Sequence, residues 1–537
     1  MIRRLLLGVA ACGLAVVAFL PAPARGQSSS GAATEGIRDP DVMNLYNSAV
    51  EMIGQGQYRD AIAALNQVIL KDGSFPDAYL RKGDALKAME DYQAAGNAYS
   101  RALEFNANSA EAYNGRGECY MEMSPPAYDL AINDFTNSLN LNRGNAQALS
   151  NMGHVLVESQ QNPNDAIRYL NEALAINDQD GRAYRDRGLA RALLREFDKA
   201  LADLTKAVEV DGSDYENFAT LASIHSYQED YAAEIEDYTH AIETYKPKHM
   251  GEPEQFVRGY ILRADARLKL AEKETDPAKR AAVLEDVLGD CDAVLAIYPD
   301  RYPESGYAMY RRGRAERMLE RYSDAINSFK NAIQIVPAGQ DIDYLSDAYL
   351  YRGICWYYIG SLPLARGDFE QASSLGGGFQ DPRIFLWIGI TYHKEGDYRR
   401  AIDAYSQAIA KSPGFALAHV NKGRAYMDLQ EYDKAIASFN NAIRTEPDVG
   451  ANYYNVGMAN IKLENYERAV EFLNLALRQK DPTSDMYRAM AMALRGLGRD
   501  GLADEYERQA EHPGAAPPPP VTTGATSAPT ASAPAVQ

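Results

Sequence analysis

Apolar positions between Asp41 and His512 follow a helical order. In Tyr432-x-x-Ala435-x-x-x-Phe439-x-x-Ala442 they fall every three or four residues, on one face of an amphipathic helix. A second such segment, marked by Gly423-x-x-Tyr426, precedes it, and Pro447 follows. The motif returns 34 residues later as Gly457, Tyr466, Ala469, Leu473 and Ala476. It stands 34 residues earlier as Gly389, Tyr392, Tyr398, Ala401, Tyr405, Ala408 and Pro413. The alanine that opens the second helix recurs at residues 61, 95, 131, 166 and 200, and again at 325, 365, 401, 435, 469 and 503. Glu234 and Val287 fill the two places between, which makes thirteen units.

Each helix pair has an apolar face too large to bury alone, so neighbours must stack. The Gly of the first helix (83, 117, 153, 188, 313, 353, 389, 423 and 457) costs about 1 kcal/mol in a helix interior. Its recurrence predicts a close approach by the paired helix. Pro299, Pro337, Pro413 and Pro447 should stop the second helix, since proline lacks an N–H and clashes backwards. Unit one has Ala49 for the Gly, unit seven has Val287 and Cys291 for Ala and Phe, and unit thirteen ends on Asp504 and Glu507 as a polar cap would.

This pattern of Gly, Tyr, then Ala, Phe/Tyr, Ala and Pro on a 34-residue period resembles the tetratricopeptide (TPR) repeat family. The resemblance implies an all-α fold, an α-solenoid winding as a right-handed superhelix of about thirteen helix pairs. The expected organisation is an N-terminal array at 41–246 (units one to six), a degenerate unit at 247–303, and a C-terminal array at 304–512 (units eight to thirteen). The step from 234 to 287 is long; its extra residues fall around Lys246–Pro253 and Glu272–Arg280 and read as surface loops, or as a hinge between arrays.

The ends differ in kind. Arg3 and Arg4, the apolar run Leu5–Leu20 and Pro21-Ala22-Pro23-Ala24 have the order of a cleaved secretory signal over 1–24. An uncleaved anchor and a lipid-modified Cys12 stay open as alternatives. A Ser/Gly/Ala-rich linker fills 25–40, and 513–537 is a Pro/Ala/Thr-rich tail without apolar periodicity, expected to be disordered. The setting so implied is export, most simply to a bacterial periplasm or cell envelope, with secretion or N-terminal membrane attachment as variants.

Composition narrows the chemistry. Lys+Arg 55 against Asp+Glu 74 gives a net charge of −19, which argues against a nucleic-acid partner. Only 7 His and 4 Cys are present, and no Walker A, HExxH, GxSxG, CxxC or GxGxxG motif occurs. No cofactor, metal site or catalytic residue is expected. His419 reads as packing, the many Tyr as framework, and Cys119, Cys291 and Cys355 as buried free thiols on distant units.

In the family the ligand usually lies against the first helices. The facing positions sit six and three before the small residue and one and four after it, one helical face. They give an acidic entrance (Asp77, Asp84, Glu111, Glu118), then Arg182 and Arg185. Units eight to twelve give the candidate partner-binding set: Tyr307, Tyr310, Arg314, Arg317, Leu350, Ile354, Tyr357, Leu386, Ile390, His393, Arg424 and Tyr454, with Trp387 adjacent. Apolar and aromatic residues on a solvent-facing face mark an interaction site. Asn151, Asn421 and Asn455 fit the second-helix place of the chaperone-binding carboxylate clamp, but its Lys/Asn pair is missing: unit eleven has Val420 and Arg424 there. The reading is a non-catalytic scaffold for protein or peptide partners in envelope assembly. Its rival is a carbohydrate-binding or polysaccharide-export factor, or an enzyme, using the Tyr/Arg face of units eight to ten. N-terminal sequencing of the exported protein should start at or near Arg25; an intact Met1 would make the segment an anchor, and a blocked Cys12 a lipoprotein.

Overall fold

The computed structural model describes residues 39–511 apart from 248–252, 254, 301–302, 338–339, 341, 377 and 481. The signal segment, nearly all of the linker and the Pro-rich tail lie outside the described residues. Pro40 already opens a helix, capped by Asp39, so the first helix starts one residue earlier than expected.

The described residues form 26 α-helices and one short 3₁₀ turn, Gly378–Gln380, with no strand among them. The helices pair as thirteen antiparallel units in the expected order, from Pro40–Gly54 with Tyr58–Lys71 to Ser484–Gly496 with Asp500–Glu511. Second helices stop at Ile297, Gln334, Lys411 and Thr445, two or three residues before the prolines at 299, 337, 413 and 447. Packing divides the chain into two compact units, Met1–Val283 and Leu284–Gln537, with the division inside the helix Pro277–Ile297. The charged stretch around Glu272–Arg280 is not a loop. Unit seven has two long helices, Val257–Lys273 of 17 residues and Pro277–Ile297 of 21, with only 274–276 between them. Its pattern strays from the repeat because the helices themselves are longer.

Within a pair, the glycine does what its recurrence implies. A Cβ at Gly83 would come within 2.6 Å of the Tyr99 ring, and one at Gly353 within 2.6 Å of Phe369. Gly117 faces Phe135, Gly313 Phe329, Gly389 Tyr405 and Gly423 Phe439 in the same way. The turn between the two helices is also repeated. In unit eleven Gln430 adopts φ +62°, and the Glu431 N–H reaches back to the Tyr426 carbonyl at 2.9 Å, closing the helix with a left-handed cap. Gly396 takes that place in unit ten at φ +83°.

A third repeated device joins the helices of units three, five and nine. The arginine just before the small glycine makes a two-pronged ion pair with the aspartate just before the second-helix ring or leucine. Arg116 binds Asp134 at 2.7 and 2.8 Å, Arg187 binds Asp203 at 2.9 and 2.7 Å, and Arg352 binds Asp368 at 2.8 and 2.6 Å. All three aspartates are buried, so the fork geometry replaces their lost water. Cys119, Cys291 and Cys355 are buried free thiols; burial pushes Cys119 and Cys355 up to about 12 and raises Cys291 further. His419 is buried beside the Pro413 carbonyl at 3.0 Å, a packing residue.

Unit six lacks the arginine: Leu221 stands there, and the equivalent aspartate, Asp237, contacts His225 at 2.7 Å instead. Burial raises Asp237 to about 6 against the pull of His225. One turn earlier on the same helix, burial raises Glu234 to about 7, opposed by Lys269 and Ser226, with Asp265 adding to the rise and His225 opposing it. An unfolded chain would ionise both groups near pH 4. Between there and pH 6–7 the folded state therefore holds more protons, and the stability these groups contribute falls as pH rises through that window.

Two outcomes are expected. Gly423→Val should overpack against Phe439, costing about 1–3 kcal/mol; an unchanged melting temperature by circular dichroism would refute the close-approach account. Glu234→Gln should raise the melting temperature at pH 8 and change it little at pH 5. An equal effect at the two pH values would show that Glu234 is ionised throughout.

Candidate partner-binding groove

Successive first helices approach one another more closely than successive second helices do, so within each array the first helices line the inner side of the curve. That closeness decides which residues stay open to a partner.

In units eight to ten the residue three before the glycine is inside the stack: Tyr310 is 7% exposed, Leu350 1% and Leu386 4%. Ile354 is 5% exposed. These four expected contact residues are corrected to core. Tyr310 stacks on Tyr344 at 5.2 Å, Leu350 and Ile354 pack in a cluster with Phe369 and Ile384, and Leu386 packs with Tyr405 and Ala418. The spacing put them on the correct helical face, but the neighbouring first helix covers that part of it.

The other candidates stay at least partly open. Tyr307 is half-buried, edge-on to Tyr344 at 5.1 Å. Arg314 lies over Tyr310 at 5.9 Å and Arg317 over Tyr351 at 4.8 Å, so both guanidiniums are engaged by rings of their own array. Tyr454 is half-buried against the last cluster of the C-terminal array. His393 contacts Asp428 at 2.6 Å. Tyr357, Trp387 and Ile390 are half-buried and Arg424 is exposed.

The structure brings Tyr357 and Trp387 together, edge to face at 5.4 Å. Two residues missed by the sequence reading complete the group. Tyr358, 54% exposed, lies edge-on to Trp387 at 6.2 Å and stacks on Tyr322 at 5.0 Å. Lys394 sits over the Tyr357 ring at 4.4 Å. Lys394 falls five residues after its glycine, one beyond the facing position, and so escaped the spacing rule. Arg383, six before Gly389, pairs with Asp347 of unit nine at 2.8 Å. Its charge is spent within the array.

The N-terminal array carries a different surface. A cavity of about 310 Å³ lies on units two to five, lined among others by Lys87, Glu118, Asn151, His154 and Arg182. Lys87 pairs with Glu118, whose other oxygen accepts from Asn114 at 2.9 Å and Asn151 at 2.7 Å. His154 contacts Asp186 at 3.0 Å. Burial would push Asp186 up, but His154, Arg185 and Arg182 bring it down to about 2. Of the expected acidic entrance, Asp84 accepts from Tyr99 at 2.8 Å and Arg81 holds both Asp84 and Glu111 at 2.7 Å. Arg185 is buried against Asp214 and Glu216, each at 2.8 Å. The sequence marked Glu118, Asn151 and Arg182 separately and gave no sign that they share a cavity. No group of three or more His, Cys, Asp or Glu side chains suited to a metal occurs among the described residues, nor does a helix long and apolar enough to cross a membrane.

Models of the tetratricopeptide repeat match residues 49–87 and 151–215, 392–456 and 451–481, and a TPR-repeat model matches 83–124. The chain is similar to Hsp70-Hsp90 organizing protein 3 of Arabidopsis thaliana, with 30% identity over 235 residues, 41% of this chain and 39% of that protein. It is similar to human Tetratricopeptide repeat protein 13 at 27% identity, over 26% of this chain and 15% of that one. The chain thus spans less than half the length of these curated relatives. Among solved structures, the APC/C hetero-tetramer Cut9-Hcn1 aligns with 87% of this chain and 96% of its own, at 13% identity and a TM-score of 0.38. Yeast Tom70 aligns with 88% and 97%, at 15% identity and a TM-score of 0.34.

Proposed function

We propose, for a chain that belongs to the tetratricopeptide-repeat family, a non-catalytic scaffold that holds segments of partner proteins on the first helices of units nine to eleven. The observation that carries this reading is the ring group Tyr357, Tyr358 and Trp387 with Ile390 beside it, left partly open by the array. Rings of this kind contribute desolvation energy at small entropic cost, and they are frequent anchors of protein interfaces. The order of the N-terminal residues supports export, and for an exported scaffold we propose the assembly of the cell envelope as its setting.

A peptide array screened with the full chain, beside a glycan array, tests the ligand class. Binding confined to glycans would replace the scaffold with a carbohydrate-binding factor, and turnover of a substrate by the purified protein would end the non-catalytic reading. For a peptide so found, Tyr357→Ala should weaken binding by roughly 30-fold or more, the loss typical of a truncated anchor, with the melting temperature little changed. Tyr310→Ala should instead lower the melting temperature, since Tyr310 is core. Normal binding by Tyr357→Ala would place the site elsewhere.

A further inference from the structure

Three units carry a tyrosine at the second-helix place that faces the small residue: Tyr99 in unit two, Tyr238 in unit six and Tyr405 in unit ten. All three are buried. In units two and six the hydroxyl finds a partner on the groove side, at the residue that follows the small one. Tyr99 donates to Asp84 at 2.8 Å, and Tyr238 interacts with Ser223. In unit ten that residue is Ile390, which has no acceptor. The Tyr405 side chain is 0% exposed and its hydroxyl has no hydrogen-bond partner among the described residues.

A buried donor left unmade is costly, and native folds rarely leave one without a reason. The surroundings suggest the reason. Ile390 packs on the cluster that contains Tyr405, and the hydroxyl lies within electrostatic reach of Tyr357 and of the Arg424 guanidinium. Arg424 is exposed and makes no ion pair with a carboxylate among the described residues. Among the described residues Lys394, also exposed, is engaged only by the face of Tyr357. One hydroxyl and two cations thus border the ring group with no acceptor of their own among the described residues. Asp428, one turn from Arg424 on the same helix, is already engaged by His393 at 2.6 Å.

We infer that the groove of units nine to eleven selects an acidic peptide segment, with an Asp or Glu carboxylate accepting from Tyr405 and Arg424 under the field of Lys394. An apolar side chain next to that carboxylate lies against Tyr357, Trp387 and Ile390. The ligand class follows from charge complementarity: the groups without an acceptor are one buried hydroxyl and two exposed cations, and the adjacent wall is apolar. This inference rests on the groove reading above.

The test uses the full chain and two fluorescein-labelled peptides in a Gly/Ser frame, one carrying Glu-Phe-Glu and the other Gln-Phe-Gln. Anisotropy titration should show the acidic peptide binding at least about 10-fold tighter, the scale of one charge-assisted hydrogen bond. Tyr405→Phe keeps the ring over Gly389 and removes only the hydroxyl. That variant and Arg424→Gln should each erase most of the preference and leave the Gln peptide's affinity unchanged. Neither should lower the melting temperature, which Tyr405→Phe should raise if anything because it removes a costly unmade donor. Tyr357→Ala should weaken both peptides. Equal binding of the two peptides, or an undiminished preference in Tyr405→Phe and Arg424→Gln, overturns the acidic selection, while the groove reading survives if Tyr357→Ala still weakens both. If neither peptide binds, the acidic selection is overturned; Tyr357→Ala on a peptide from the array then decides the groove itself.

Discussion

The contact between a glycine on nine of the first helices and a ring or leucine on the paired second helix is the constraint from which the other features follow. It brings the two helices closer than side chains would otherwise allow, and it recurs from Gly83–Tyr99 to Gly457–Leu473. Once the pair is that close, the left-handed turn residue and the buried Arg–Asp fork hold its angle. The fork lies one residue to the side of the glycine and of the ring, so the same approach that seats Phe135 against Gly117 aligns Arg116 with Asp134. A chain that lost the glycine would lose the geometry of the ion pair with it.

The approach also decides what the inner surface can offer. Pairs packed this tightly stack with their first helices in contact, and the position three before the glycine becomes the filling between neighbours. Tyr310, Leu350, Leu386 and Val420 all occupy it and all are buried. What remains open is a narrower strip, where Tyr357, Trp387, Ile390 and Arg424 lie. An apolar residue on the inner face therefore has two possible jobs, and depth within the stack separates them.

That distinction limits what the sequence could tell. The period of 34, the glycines and the closing prolines made the helix pairs legible, because each states a local physical requirement that the same residue types meet again and again. Depth is not local. Spacing assigns Leu350 and Tyr357 to one face with equal force, and only the neighbouring helix shows that the first is covered. The forks of units three, five and nine were readable in principle: arginine precedes the glycine and aspartate precedes Phe135, Leu204 and Phe369. The cavity of units two to five was not, because Lys87 and Arg182 lie on first helices of units two and five, and the curvature that brings their faces together is a sum over repeats.

The two inner surfaces use charge differently. In the N-terminal array Lys87 meets Glu118, Arg81 meets Asp84 and Glu111, and Arg185 meets Asp214 and Glu216, so cations there brace one helix against the next. In units ten and eleven Lys394 and Arg424 pair with no carboxylate among the described residues. The chain as a whole carries −19, so an acidic partner gains no long-range attraction from it. At physiological ionic strength, however, fields fade over about 8 Å, and the local cations dominate once the partner is in the groove. The proposed selection should therefore act after encounter, through slower release of the bound segment rather than faster arrival.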